Sequence, residues 1–290
     1  MDLVTVFQNH SSPMAPLSTG VTPELPIFPG IRGVVFDIYG TLFISGSGDI
    51  SLANKNDNES QILEAFSACG IQLARDHPPV APLFHDVIFK SHAESHAQGV
   101  AFPEVDIREV WGELLRQLSL DRDTRGIERL AIEFECRANP VWPMPALRET
   151  LSVLRHAGMR LGIVSNAQFY TPFMFEALTG ETMESLGFEK DLSIWSYRER
   201  YGKPTIDLYT KLAATLLEKG IHAPEILYVG NDIRNDIWPA QTVGFLTALF
   251  AGDRRSLRMR EKDPACFNVK PDAIVTDLSQ VPLTVGVEVA

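Results

Sequence analysis

Val34-Val35-Phe36-Asp37-Ile38-Tyr39-Gly40-Thr41-Leu42 is an apolar run that delivers an aspartate and then a glycine. A short, continuously apolar run suits a strand covered on both faces, as in a parallel sheet, whereas a half-exposed strand would alternate. Such a strand presents Asp37 at its C-terminal edge, the side on which open α/β sheets hold ligands, and Gly40 lets the chain turn sharply. A carboxylate in that place can attack phosphorus or carbon. The product is an acyl phosphate or an ester, and one hard displacement becomes two easier ones.

The same pattern recurs outward from this run. Apolar stretches at 161–164, 226–229 and 245–250, and shorter ones at 192–195 and 273–275, end in polar or glycine-containing turns. Helical patterns at 146–157, 206–217 and 237–243 lie between them, and this alternation predicts an α/β fold with a doubly wound, Rossmann-like parallel sheet. The interval from Ile44 to about Pro143 departs from it, with helical patterns at 59–69, 83–97, 106–118 and 124–137 and no convincing strand. A helical cap over residues 45–143 is therefore expected above the strand ends, with the core in 31–44 and 144–290. Asp106, with Glu109 three residues later, reads as a capping box. Residues 1–30, rich in Ser, Pro and Thr without a clear period, read as a flexible lead-in.

Composition narrows the partners. The chain has 290 residues, 45% of them hydrophobic, enough for a large core, and its net charge of -11 disfavours nucleic acid and anionic membrane surfaces. A small-molecule substrate is expected, and a homodimer stays open. Cys69, Cys136 and Cys266 are odd in number and widely spaced, without metal-site spacing, which suits a reducing compartment. With no signal-peptide pattern and no bilayer-length apolar run, a cytoplasmic location is expected.

Three further segments carry chemistry. Ser165 and Asn166 follow an apolar strand and offer donors to an anionic oxygen. Lys203, in Gly202-Lys203-Pro204, precedes a helix and can neutralise a carboxylate or an oxyanion. Gly230-Asn231-Asp232-Ile233-Arg234-Asn235-Asp236 gathers hard oxygen donors suited to Mg²⁺, although Asn231 or Asp232 reads equally as a helix cap. Taken singly, Ser-Asn is an ordinary turn and Lys-Pro a solvated helix start. His85, His92 and His96 share one helix face; zinc is the sharp reading and a partly solvated cap face the plainer one, because nothing completes a tetrahedral set. Glu104 or Arg108 could point toward the cleft, while Trp111, Trp142 and Trp195 read as core. Arg254, Arg255, Arg258 and Arg260 read as a solvated loop, with a phosphate clamp as the alternative.

In this order the four segments resemble the haloacid dehalogenase superfamily: an Asp strand ending in Gly-Thr, a strand ending in Ser, a Lys-Pro helix start and an acidic loop after Gly. The resemblance runs from Val34 to about Val275, and the helical insertion sits where that family's first type of cap does. It implies that Asp37 is the nucleophile, that Tyr39 and Lys203 complete the catalytic set, and that Thr41 holds the loop. It implies too that Thr41, Ser165 and Asn166 meet the substrate, with Asp37, Tyr39, Asn231, Asp232 and Asp236 as the Mg²⁺ set.

Two branches of the family compete. Its phosphatases carry a second aspartate two residues after the nucleophile, as a general acid. Here that position is Tyr39, as in 2-haloacid dehalogenases, whose halide leaves without a proton; Tyr209, six residues after Lys203, fits the same branch. The acidic loop instead has the length and the late Asp236 of the metal-dependent branch, although Asn231 removes one charge from it. Two acids beside Asp37 would repel an anionic substrate unless a cation offset them. The expectation is therefore a Mg²⁺-dependent phosphatase acting on a small phosphorylated metabolite through an aspartyl phosphate on Asp37. A metal-independent 2-haloacid dehalogenase is the alternative, and a catalytically weakened binding protein the third reading.

Overall fold

Six of the apolar runs lie side by side in the computed structural model, which describes residues 2–47 and 58–287. The strands are β1 (Gly33–Phe36), β2 (Phe43–Ser45), β3 (Val141–Pro143), β4 (Arg160–Ser165), β5 (Phe188–Trp195), β6 (Ile226–Gly230), β7 (Leu246–Phe250) and β8 (Ala273–Val275). The main sheet has the order β5-β4-β1-β6-β7-β8 and is parallel throughout. Val34 is level with Leu161 and Leu227, and Phe36 with Ile163 and Val229. This register brings the C-terminal ends of β1, β4 and β6 to one edge. The chain leaves β1 toward β4 on one side and β6 on the other, so Asp37 stands at the switch point where open α/β sheets form their crevice.

Side chains along each strand alternate between two cores, as the period of two requires. Val35, Val164 and Tyr228 pack with Leu208, Tyr209, Leu212 and Leu216 of one helix, Asp207–Glu218, while Val34, Phe36, Ile163 and Val229 join the larger core on the opposite face. Tyr228 therefore points away from the cap-side core and toward that helix.

The cap consists of helices Glu59–Ala68, Val80–Ala97, Ile107–Gln117 and Thr124–Ala138. Its centre is aromatic: Trp111, fully buried, lies 4.5 Å from Phe84 and 5.3 Å from Phe134 between ring centroids. The sequence showed no strand in this interval, yet β2 and β3 pair antiparallel at its root, Phe43 with Pro143 and Ser45 with Val141. Three residues are too few for a period to show. Asp106 caps its helix by accepting from the Arg108 amide at 3.0 Å, but the capping box does not form, because Glu109 takes both guanidinium nitrogens of Arg200 in the core. Positions 48–57 of the expected cap lie outside the described residues.

The lead-in is a correction. Leu3–His10 is a helix with Leu3, Val6 and Phe7 buried, and it packs on the last cap helix, Thr124–Ala138, and on the core helix Thr171–Thr179. Phe7 meets Tyr170 at 6.2 Å between ring centroids, and His10 Nε2 lies 2.9 Å from Glu133 Oε2. Beyond it the chain is tied down in extended form: Thr19 Oγ1 donates to Ala251 O, Glu24 pairs with Ile274 beside β8, and the Phe28 amide donates to Thr284 O. Leu3, Val6 and Phe7 stand at helical spacing, and burial of that stripe, not composition, decides the segment's order. Among the described residues no helix is long and apolar enough to cross a membrane.

Candidate active site

The ladder between β1 and β6 continues one residue past the strand, with the Asp37 amide donating to Val229 O at 2.9 Å, so the backbone of Asp37 is fixed. The chain then turns back through amide bonds from Thr41, Leu42 and Phe43 to Ile38 O. Gly40 sits at φ +87°, and a Cβ there would fall 2.4 Å from Ser256 Cβ, so both conformation and space require glycine. Oδ1 of the Asp37 carboxylate accepts from Ser165 Oγ at 3.0 Å and from Lys203 Nζ at 2.7 Å. Oδ2 accepts no hydrogen bond among the described residues. One oxygen is held and the other is left to face an electrophile.

Lys203 is aimed by Asn166, whose Oδ1 accepts from the Lys203 amide at 2.8 Å. Its ammonium donates to Asp37 Oδ1 at 2.7 Å, Asp236 Oδ1 at 2.6 Å and Tyr228 OH at 2.9 Å, which uses all three of its hydrogens. Burial opposes the charge, but the Asp236 and Asp37 carboxylates outweigh it and hold the Lys203 pKa well above a lysine's ordinary value. Burial pushes the Asp236 carboxyl up from its usual range, with Lys203 pulling against it. Oδ2 of Asp236 accepts from the Asp232 amide at 3.0 Å. Gly230 makes room for this carboxylate, since a Cβ at that position would lie 2.4 Å from Asp236 Cγ.

The other expected site residues take different parts. Thr41 is fully buried and donates to Asn231 Oδ1 at 3.0 Å, while Asn231 Nδ2 donates to Ser256 O at 2.6 Å. Thr41 thus holds the loop. Tyr39 OH shares a hydrogen bond with Thr171 Oγ1 at 3.0 Å, and burial first, then the nearby Glu135 carboxyl, hold it neutral far above a phenol's ordinary pKa. Asp232 is nearly buried and caps the turn Ile233–Ile237 through the Arg234 and Asn235 amides. It is also gripped by Arg260, Nε on Oδ1 at 3.0 Å and Nη2 on Oδ2 at 2.5 Å.

These commitments decide whether the expected residues fit a divalent cation. Both oxygens of Asp236, both of Asp232 and the side-chain oxygen of Asn231 already accept protein hydrogen bonds, leaving Asp37 Oδ2 alone among the expected carboxylate and amide oxygens. Among the described residues no three His, Cys, Asp or Glu side chains are grouped to hold a metal ion. A hard cation needs several oxygens turned toward one point, and in this arrangement the set does not fit Mg²⁺. The electrostatic reason for expecting Mg²⁺ is also reduced: Lys203 faces Asp37 and Asp236, and Arg260 faces Asp232.

Sequence reasoning missed two participants. Tyr228 stood in an apolar run, yet its hydroxyl accepts from Lys203 and reaches Asp236 Oδ1 at 3.0 Å and Val164 O at 3.1 Å; a tyrosine one residue off the cap-facing pattern is the signal. Arg260 was read within a solvated cluster or a phosphate clamp, but Arg255 pairs with Asp253, Arg258 donates to backbone carbonyls of its own loop, and Arg260 pairs with Asp232. Among the described residues the cap histidines belong to no group of metal ligands; His96 Nδ1 bonds Val100 O, and burial holds the His92 imidazole below its ordinary pKa. Arg108 is taken by Asp106 at 2.6 Å and lies over the Phe169 ring.

Glu104 lies on the cap segment that runs beside the loop carrying Lys203. Residues 102–104 run against 200–202, just ahead of Lys203, with Glu104 N donating to Arg200 O and Gly202 N to Phe102 O. Glu104 Oε2 accepts from Ser196 Oγ at 3.0 Å, and burial pushes its pKa up to about 7 from an ordinary 4.5, the Ser196 bond opposing. The folded state therefore favours the protonated form. Its stabilising effect is full below pH 4.5, where both states carry the proton, and is lost as pH rises through about 7. Thermal unfolding of the wild type is expected to fall across that window relative to Glu104→Gln, which should lack this component; parallel curves would remove the assignment.

A family model of haloacid dehalogenase-like hydrolases matches residues 31–244. None of the curated proteins matches the chain. Among solved structures, a haloacid dehalogenase-family phosphatase from Thermococcus onnurineus is similar, with a TM-score of 0.50 and 19% identity over 89% of this chain and 99% of that one. A 2-haloacid dehalogenase from Pseudomonas syringae pv. Tomato DC3000 is similar too, with a TM-score of 0.55 and 18% identity over 88% of this chain and 98% of the other. At these identities the likeness concerns the fold.

Proposed function

The chain belongs to the haloacid dehalogenase-like hydrolases, and from that premise we propose that it is a metal-independent hydrolase of the 2-haloacid dehalogenase type, acting on a small monoanionic carbon electrophile. The observation that carries this reading is the closed charge pairing around Asp37, in which Lys203 faces Asp37 and Asp236 and Arg260 faces Asp232. Three carboxylates face two protein cations, so the cluster keeps about one negative charge. That repels a phosphate dianion more than a monoanion. Tyr39 supports the same reading: a neutral phenol bonded to Thr171 replaces the carboxylic acid that an alkoxide leaving group requires.

In this reading Oδ2 of Asp37 attacks the carbon bearing the halogen. The carbon–oxygen bond forms as the carbon–halogen bond breaks, and halide leaves with the electron pair. Water then adds at the Asp37 acyl carbon, the 2-hydroxy acid departs, one proton is released and the carboxylate is restored. Lys203 steadies charge on the Asp37 oxygens through both steps, while Ser165 keeps Oδ1 in place.

A phosphatase is the second reading, favoured by Glu104, a cap carboxyl whose pKa burial raises to about 7, the range of a general acid. A paired screen of 2-chloro and 2-fluoro acids and of aryl and alkyl phosphates, with EDTA or Mg²⁺, separates the two. Halide release unaffected by EDTA is the expected result. Phosphate release that EDTA abolishes and Mg²⁺ restores would overturn the proposal.

A further inference from the structure

Arg260 is set up for its task by more than one contact. Its backbone lies in the left-handed region at φ +52°, a conformation that a residue with a Cβ adopts at a cost. The loop that carries it is laced to the acidic loop on both sides of Asp232: Arg258 N donates to Asn231 O at 2.9 Å, Ile233 N to Arg258 O at 3.0 Å, and Asn231 Nδ2 to Ser256 O at 2.6 Å. At the end of this lacing the guanidinium meets Asp232 as a two-pronged fork, the geometry that a planar Arg and a carboxylate share and a spherical ion does not need. Asp232 is nearly buried while Arg260 is part-exposed, so the carboxylate end of the pair is shielded from solvent.

We propose that Arg260 is a built-in counter-cation of the acidic loop, holding Asp232 in a two-pronged ion pair and thereby keeping a divalent cation out of the site. A metal competing for Asp232 must displace the guanidinium and give up both prongs of the fork. With Asn231 neutral and its carbonyl bonded to Thr41, the loop has no second carboxylate beside Asp232 except Asp236, which Lys203 holds. Asp232 is then closed to a metal by this one residue, 28 positions further along the chain and brought back by the loop after β7. The inference deepens the metal-independent reading above, but its test needs no substrate, so either can fail alone.

The test is Mn²⁺ binding, followed by electron paramagnetic resonance and calorimetry on the full chain. Wild type is expected to show no site tighter than about 1 mM, the weak end of oxygen-donor sites. Arg260→Ser is expected to gain one site at least about ten-fold tighter, and Arg260→Ser with Asp232→Asn to lose it again. Should Arg260→Ser fail to fold, Arg260→Lys, which keeps a charge without the fork, is expected to bind Mn²⁺ between the two. Stoichiometric Mn²⁺ on wild type would overturn the proposal, as would folded Arg260 variants with no gain in binding, or a gain that survives loss of the Asp232 charge.

Discussion

Replacing Asp37 with Asn is expected to lower kcat by roughly 10⁴-fold or more, the scale seen when a nucleophile is removed from an otherwise complete site. The substitution keeps the shape of the side chain and an oxygen able to accept from Ser165 and Lys203, so the fold should survive, with Lys203 still paired to Asp236. Only the attacking carboxylate is lost. A single turnover of the wild type in heavy-oxygen water is expected to place the label in the Asp37 carboxyl and not in the first product, because water attacks the acyl carbon. Label found directly in the product would mean that water attacks the substrate, and the role given to Asp37 would be wrong.

The second large effect is on stability. Lys203→Met should cost about 3–5 kcal/mol, the range for removing one partner of a buried charge pair. It leaves Asp37 and Asp236, formerly 2.7 and 2.6 Å from one ammonium, as two buried carboxylates without their counter-charge. Burial already raises the Asp236 pKa against the pull of Lys203, so without the lysine it should rise further; the deficit then shrinks in acid, where both states are protonated, and grows as pH increases. Adding Asp236→Asn removes one of the stranded charges and should recover part of the loss, a coupling of about 0.5–3 kcal/mol in a double-mutant cycle. Urea unfolding at several pH values reads all of this; strict additivity would show that the pair does not act as a unit.

The catalytic strand ends were legible because their logic is local. A buried run ending in Asp37, another ending in Ser165 and a lysine before a helix are patterns of adjacent residues, and the parallel register brings them to one edge. The choice of partner is not local. Asp232 with two acidic neighbours argued for a metal until the loop after β7 placed Arg260 on it. Glu109 was spaced for a capping box, yet Arg200, far along the chain, offered a two-pronged ion pair. Tyr228 was hidden for another reason: in a strand buried on both faces, apolar character does not reveal which side a residue faces, so a hydroxyl aimed at Lys203 looks like one more core ring. The first helix was missed because its apolar stripe is only three residues long.

That helix has a consequence for how the protein breathes. It splices the two halves of the molecule across their joint, with Phe7 against Tyr170 on one side and His10 reaching Glu133 on the other. A swing of the cap about the β2–β3 root must peel the helix from one half and wet some of Leu3, Val6 and Phe7, at about 1.5–3 kcal/mol for each side chain fully exposed. Any opening at that joint thus carries a cost that residues 3–10 set.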